Sequence, residues 1–177
     1  MRGRGRILDD RLFKWFNTEF RRPGSDVFFK GITELGSLWA SIGAATAMSV
    51  KGHRKQAGDA LAAAATTWVI GQVLKRVWRR VRPYDAAAPF RLLIVRPRGA
   101  SWPSSHPMVL SAFLTVAGRN LELTRGVRLG LGAVAGVVAC SRVYLGVHYP
   151  ADVAGGLLLG RAVGDGWSRT ISPRVVR

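Results

Sequence analysis

The sequence predicts an all-α fold, an integral membrane helical bundle of about five transmembrane helices with an N-terminal amphipathic helix at the interface. Three observations carry this expectation. Hydrophobic residues make up 48% of the 177 positions, yet Lys and Arg outnumber Asp and Glu by 27 to 10, for a net charge of +17. The basic residues gather at the ends of apolar runs rather than along one face, which suits membrane edges and argues against a nucleic-acid partner. Trp39, Trp68, Trp78, Trp102 and Trp167 lie near the ends of those runs, as interfacial anchors do. No run is a clean twenty-residue span, so each reaches membrane length only through polar ends; a basic soluble helical protein is the alternative.

Residues 1–30 are basic and broken by Gly and Pro. Within 8–20, Leu8, Leu12, Trp15, Phe16 and Phe20 recur at helical spacing with Arg11 and Lys14 between them. This is the pattern of the interfacial helix, although packing against the rest of the chain would use the same spacing. Residues 35–50 and 60–74 are uncharged and flank the basic turn 51–55, so they read as a helical hairpin. A loop carrying Pro89, Pro97, Arg91, Arg96 and Arg98 occupies 84–102. Apolar segments follow over 104–118, 129–141 and 153–167, the last interrupted by Arg161 and Asp165. Gly132 with Gly136, and Gly156 with Gly160 and Gly164, fall four apart, a spacing that lets helices approach closely. The chain thus divides into a basic segment (1–30), a membrane-embedded unit (31–168) and a basic tail (169–177). The single cysteine, Cys140, excludes an intrachain disulfide, and no Cys/His cluster has zinc spacing. The Met-Arg-Gly-Arg-Gly-Arg start lacks the apolar stretch of a cleaved signal peptide.

Chemistry concentrates at three segment edges. In the first, Lys75 and Arg82 are seven apart, two helical turns, with Arg79 on nearly the same face and Pro83 ending the helix. A snorkelling basic helix end would look alike. In the second, Trp102-Pro103-Ser104-Ser105-His106-Pro107 offers Ser104 or Ser105 as a helix cap, and the free N–H groups of that helix start make an anion nest. The third runs from Ser141 to Asp152. Pro150 suits the first turn of a helix, which puts Asp152 in that turn and His148 just outside it. A carboxylate there can accept the imidazole N–H and hold the other ring nitrogen outward as a nucleophile or base, with Arg142 returning to the same point.

Together these edges read K-x6-R-P, P-S-x-H and S-R-x5-H-x3-D, in that order. The chain resembles the type 2 phosphatidic acid phosphatase family over roughly residues 28–167. That superfamily also includes glucose-6-phosphatase-like enzymes and vanadium haloperoxidases. One position departs from the pattern, since Ser105 stands where the family usually has Gly, the residue that lets a backbone N–H approach phosphate closely.

The resemblance implies a multi-pass protein of the cell membrane that hydrolyses a lipid phosphate or diphosphate. Phosphatidic acid, phosphatidylglycerol phosphate, a polyprenyl diphosphate and a phosphorylated polyprenyl sugar all remain open. It further implies that His148 attacks phosphorus and becomes phosphohistidine. Asp152 orients it, and His106 protonates the leaving oxygen and then activates water. Lys75, Arg82 and Arg142 hold the phosphoryl oxygens, with Ser104, Ser105 and the N–H groups of 104–106 completing the cradle. Three cations supply the charge neutralisation that phosphoryl transfer needs, so no metal or other cofactor is expected. Two other readings compete. A vanadate-dependent haloperoxidase would oxidise halide in the same pocket, and a non-catalytic basic membrane-binding protein would show salt-sensitive affinity that ignores His148.

Overall fold

Helix-forming sequence and short polar turns account for nearly the whole architecture of the computed structural model, which describes residues 4–20, 22–86 and 90–172. Residues 173–177 of the expected basic tail lie outside them; Arg169 and Thr170 still belong to the last helix. Helix α1 (Arg4–Lys14) continues into a π-helical turn (Trp15–Glu19), and α2 spans Ser25–Thr33. The expected hairpin is α3 (Leu38–Val50) and α4 (Arg54–Trp78). A single short turn, α5 (Pro83–Ala86), precedes the long loop. The bundle is completed by α6 (Ser105–Asn120), α7 (Arg125–Tyr144) and α8 (Pro150–Thr170). No strand occurs among the described residues.

Helix α6 is the axis of the bundle, packed by α8, α4, α7 and α3. Its buried face of Val109, Phe113, Val116 and Ala117 meets Ala57, Ala60, Ala63 and Ala64 of α4. Gly156, Gly160 and Gly164 bring α8 against α6 so closely that a β-carbon on Gly160 would lie 2.1 Å from the Met108 carbonyl oxygen. Gly132 and Gly136 differ from expectation: a β-carbon on either meets nothing within 4 Å, because the α7 face that packs inward carries Ala135, Val138 and Ala139 instead.

The tryptophans also divide. Trp39, Trp68 and Trp78 are exposed, as anchors would be. Trp102 instead packs against Trp78 with the rings tilted by 54° and their centroids 4.9 Å apart, and Trp167 packs against the α4–α6 core. The length of α7 and its apolar composition are enough to cross a membrane, and α3 is a shorter apolar helix. No other described helix, the long α4 and α8 included, is both long and apolar enough.

Helix α1 has two working faces. Asp9, Phe13 and Asn17, spaced four apart, are buried against the loop side of the bundle. The Phe13 ring lies 5.4 Å from that of Tyr149, while the Asn17 side-chain amide donates to the carbonyls of Arg91 and Tyr144 and accepts from the Arg91 N–H. Ile7, Leu8, Leu12 and Trp15 face outward with Arg11 and Lys14. The packing use foreseen for this helix is therefore present on one face, and the other face exposes apolar and basic residues together.

Candidate active site

The chemistry-bearing residues sit where four bundle helices end or begin on one side of the molecule: the C-terminal ends of α4 and α7 and the N-terminal ends of α6 and α8. The short turn between α7 and α8 and the long loop between α4 and α6 both lie on this side, while the short turns joining α3 to α4 and α6 to α7 lie on the other. A hydrogen bond between the two helix starts, Ser104 N–H to the Asp152 carbonyl at 3.1 Å, ties α6 to α8.

His148 follows a tight turn at Leu145–Gly146–Val147 and is 2% exposed. Gly146 has φ +83°, and a β-carbon there would lie 2.1 Å from the Arg91 carbonyl oxygen, so backbone conformation and space both demand glycine. Pro150 opens α8 as expected, and Asp152 at its third position reaches back to accept the Tyr149 N–H at 2.8 Å.

The two ring nitrogens of His148 face different partners. Nε2 lies 3.3 Å from Arg82 Nη1, and a guanidinium can only donate, so Nε2 is the unprotonated nitrogen and Nδ1 carries the hydrogen. Nδ1 points to Asp152 Oδ2 at 3.6 Å, an electrostatic contact longer than a hydrogen bond, with Ser101 Oγ at 3.5 Å from the same nitrogen. Burial, together with the charges of Arg82 and Arg142, lowers the His148 pKa to about 3 despite the opposing pull of Asp152. The imidazole is neutral at physiological pH.

Arg82 is buried and locked by its donations to the Gly99 carbonyl at 2.8 Å and the Val147 carbonyl at 3.0 Å. It does not extend α4. That helix ends at Trp78, and Arg79 takes a left-handed conformation at φ 34°, so the two-turn spacing from Lys75 to Arg82 is not a shared helix face. The two residues meet across a bend instead. Lys75 donates to Ser105 Oγ at 2.8 Å. Arg142, buried in the last turn of α7, donates through Nη1 to Thr33 Oγ1 at 2.9 Å. Its Nε and the Ser104 hydroxyl are buried without a hydrogen-bond partner. His106 lies within the electrostatic reach of Arg142, His148, Lys75 and Arg82. Gly36 holds the ring's backbone from behind, since a β-carbon there would be 2.7 Å from His106 Cβ.

Thus Lys75, Arg82, Ser104, Ser105, His106, Arg142, His148 and Asp152 converge on one end of the bundle. The cradle differs from expectation at one point. The Ser104 N–H is committed to Asp152, and its hydroxyl, although Ser104 occupies the cap position of α6, makes no cap bond. Ser141 is fully buried and bonds within its own helix, to the Val138 carbonyl at 2.6 Å.

Three groups beyond the motif residues take part. Ser101 Oγ donates to Asp152 Oδ2. Arg80 donates through Nη1 to Asp152 Oδ1 at 2.7 Å and through Nη2 to Asp9 Oδ2. Burial pulls the Arg80 pKa down, but Asp152 and Asp9 outweigh it and raise it. Arg80 is one of four arginines within 76–82, and only the bend after Trp78 distinguishes it from its neighbours. Beside this cluster a cavity of 580 Å³ is lined by Lys75, Arg76, Arg79, Arg80, Arg82 and Arg98, with Asp85 the one acidic residue in its wall.

Comparison with known proteins places the chain. The model of the PAP2 superfamily matches residues 56–174. The decaprenylphosphoryl-5-phosphoribose phosphatase of Mycobacterium tuberculosis (strain H37Rv) is 32% identical over 146 residues, covering 81% of this chain and 78% of that protein. An undecaprenyl-diphosphatase of Sulfolobus acidocaldarius is 39% identical over 94 residues, covering 52% of this chain but only 44% of the relative's length. The crystal structure of Aquifex aeolicus LpxE superimposes with a TM-score of 0.83 at 25% identity, covering 92% of this chain and 95% of that one. A transmembrane PAP2 type phosphatidylglycerolphosphate phosphatase from Bacillus subtilis gives a TM-score of 0.78 at 26% identity, covering 99% and 91%. The relatives are named phosphatases of lipid phosphates or diphosphates, and the chain belongs to the PAP2 superfamily.

Proposed function

We propose that this protein is a metal-independent membrane phosphatase that hydrolyses a lipid phosphate or diphosphate through a phosphohistidine intermediate. The observation that carries the reading is the setting of His148. It is a buried, neutral imidazole whose unprotonated Nε2 faces Arg82, while its other nitrogen faces Asp152. In the first half-reaction Nε2 attacks phosphorus, and the P–N bond forms as the bond to the leaving oxygen breaks. His106 gives that oxygen its proton. Positive charge arising on the imidazole is stabilised by Asp152. In the second half His106 takes a proton from water, the new P–O bond forms, the P–N bond breaks, and phosphate leaves.

Lys75, Arg82 and Arg142 hold the equatorial oxygens, where charge is spread in the transition state. The Ser104 hydroxyl and Arg142 Nε, buried without partners, are suited to the same anion. The Ser105 hydroxyl keeps Lys75 in place and can share the phosphate. The arginine-lined cavity beside the site admits an anionic headgroup.

Membrane placement is supported by the transmembrane relative and by the outer surface of the bundle. Trp39 (81% exposed), Val50 (84%), Val69, Val73, Val77, Leu129 and Leu158 all face outward, an apolar coat that water would not favour. On this reading α3, α4, α6, α7 and α8 are the five spans of a multi-pass cell-membrane protein. Residues 31–168 form the phosphatase unit between the basic segment 1–30 and the tail 169–177. The outward face of α1 lies at the interface. The tuberculosis relative, matched over 81% of this chain, is named for a phosphorylated polyprenyl sugar, which puts that class into the substrate panel.

The test is phosphate release by detergent-purified protein in EDTA. It is offered phosphatidic acid, phosphatidylglycerol phosphate, a polyprenyl diphosphate and a phosphorylated polyprenyl sugar. Release from at least one of them, abolished in His148→Ala, is the expected result. A strict Mg²⁺ requirement, or release that survives His148→Ala, refutes the mechanism.

A further inference from the structure

Helix α1 lies outside the residues matched by the PAP2 superfamily model, yet it reaches the catalytic cluster. Asp9 is its point of entry. The carboxylate is 6% exposed, and both oxygens are engaged with groups next to Asp152: Oδ1 accepts the Ala151 N–H at 2.9 Å, and Oδ2 accepts from Arg80 Nη2. The other terminal nitrogen of Arg80 donates to Asp152 Oδ1 at 2.7 Å. The guanidinium also sits over the Tyr149 ring, 4.5 Å from its centre, and Phe13 of α1 packs on that same ring.

We infer that Asp9 is a positioning residue, acting through Arg80 and the first turn of α8 to hold Asp152, and through it the imidazole of His148, in the attacking orientation. This rests on the phosphatase reading above.

Geometry separates this role from an ordinary surface ion pair. A guanidinium bonded at one terminal nitrogen still pivots about that bond. Bonded at both, and stacked on an aromatic face, it is held in one plane. Asp152 Oδ1 then has a single fixed donor. Its Oδ2 is left to Ser101, the Tyr149 N–H and the imidazole. Charge works in the same direction. With Asp9 present, Arg80 is shared between two carboxylates, and the negative potential of Asp152 remains directed at Nδ1 of His148. Without it, one guanidinium draws on Asp152 alone. The cluster of Lys75, Arg82 and Arg142 then acts on the imidazole with less opposition.

Asp9→Asn is the informative variant, because the amide oxygen can still accept the Ala151 N–H while the negative charge that faces Arg80 is lost. On a lipid phosphate that the wild type turns over, kcat falls about tenfold and KM stays within about twofold, as for a group that orients without touching substrate. The double variant Asp9→Asn/Arg80→Gln is no slower than Arg80→Gln alone, because both changes break one chain. Arg80→Lys, which keeps the charge but cannot bridge two carboxylates with a planar fork, gives a similar loss and serves if Asp9→Asn does not fold.

Imidazole ¹⁵N NMR reads the relay without turnover. The His148 Nδ1 resonance shifts in Asp9→Asn relative to the wild type. Wild-type kcat in Asp9→Asn, multiplicative losses in the double variant, or an unmoved Nδ1 resonance each overturns the proposal. So does a lowered melting temperature with kcat intact, which would mark Asp9 as structural only. If the wild type releases phosphate from no lipid, the phosphatase reading fails, and the NMR comparison still decides the relay.

Discussion

Adding a single methyl group at Gly160 or Gly156 should damage the protein in two different ways. A β-carbon on Gly160 would lie 2.1 Å from the Met108 carbonyl oxygen, and one on Gly156 would lie 2.5 Å from that of Ser104. Carbon–oxygen contacts shorter than about 3 Å are essentially unpopulated, so the helices must part by about 0.9 Å at the first site and about 0.5 Å at the second. Backbone is the obstacle in both cases, and no side-chain rotation relieves it. Overpacking of this kind costs about 2 kcal/mol after the helix-propensity gain of Ala over Gly, or roughly 4–8 °C in melting temperature for a chain of this size.

The consequence for activity differs along the seam. Gly156 sits level with Ser104, beside the helix starts that carry His106 and Asp152, whereas Gly160 is a turn further away. A misplacement of 1 Å at reacting groups costs on the order of a hundredfold, so about 0.5 Å corresponds to roughly tenfold in kcat for Gly156→Ala. Gly160→Ala should lose stability at least as much but activity less. Gly132→Ala and Gly136→Ala are the controls. Nothing lies within 4 Å of either position, so each should gain about 0.5–1 kcal/mol and leave the rate unchanged. Thermal melts and phosphate release in one detergent give all the required numbers. A Gly160→Ala protein as stable as wild type, or Gly132→Ala as harmful as Gly160→Ala, would refute the close-packing argument.

Three further predictions concern the site. With its pKa lowered to about 3 by burial, His148 should show no imidazole titration by NMR between pH 5 and 8, and a transition near 6.5 would contradict the buried, neutral setting. Because the unfolded chain takes up that proton below about 6.5 while the folded one resists it, stability should fall as pH drops from about 6.5 towards 3, measured by melts across that range. Ser105→Gly removes the acceptor of the Lys75 ammonium at 2.8 Å but leaves the N–H of position 105 in place. A hydrogen bond to a charged group is worth about 1.5 kcal/mol, so the rate should change by no more than about tenfold, and a loss of a hundredfold or more would make the hydroxyl essential.

Particular residues show why some of this was legible in sequence and some was not. The start of α8 was readable because Pro150 and Asp152 act locally: the ring suits the first helical position, and the carboxylate caps the backbone three residues earlier. The roles of the two glycine sets were not readable. Gly132 and Gly136 have the same spacing as Gly156 and Gly160, and only the identity of the opposing helix decides which pair is a contact surface. Lys75 and Arg82 are brought to one place, though not by the helical periodicity that suggested it. The left-handed turn at Arg79 breaks the helix, and long-range acceptors at Gly99 and Val147 set where the guanidinium goes.

By itself, then, the sequence determined what depends on near neighbours along the chain: helical segments, their polar turns and the cap of α8. It also placed the motif residues at segment edges, which became one site once the long loop after α4 and the short turn after α7 brought those edges to the same side. Tertiary structure alone decided the partners of each side chain. Asp9 and Asp152 share Arg80 although 143 residues separate them. Ser101 occupies the carboxylate oxygen nearest His148, and the Ser104 N–H is spent on Asp152. Those contacts join groups distant in sequence, with energies set by burial and geometry that exist only after the helices have packed.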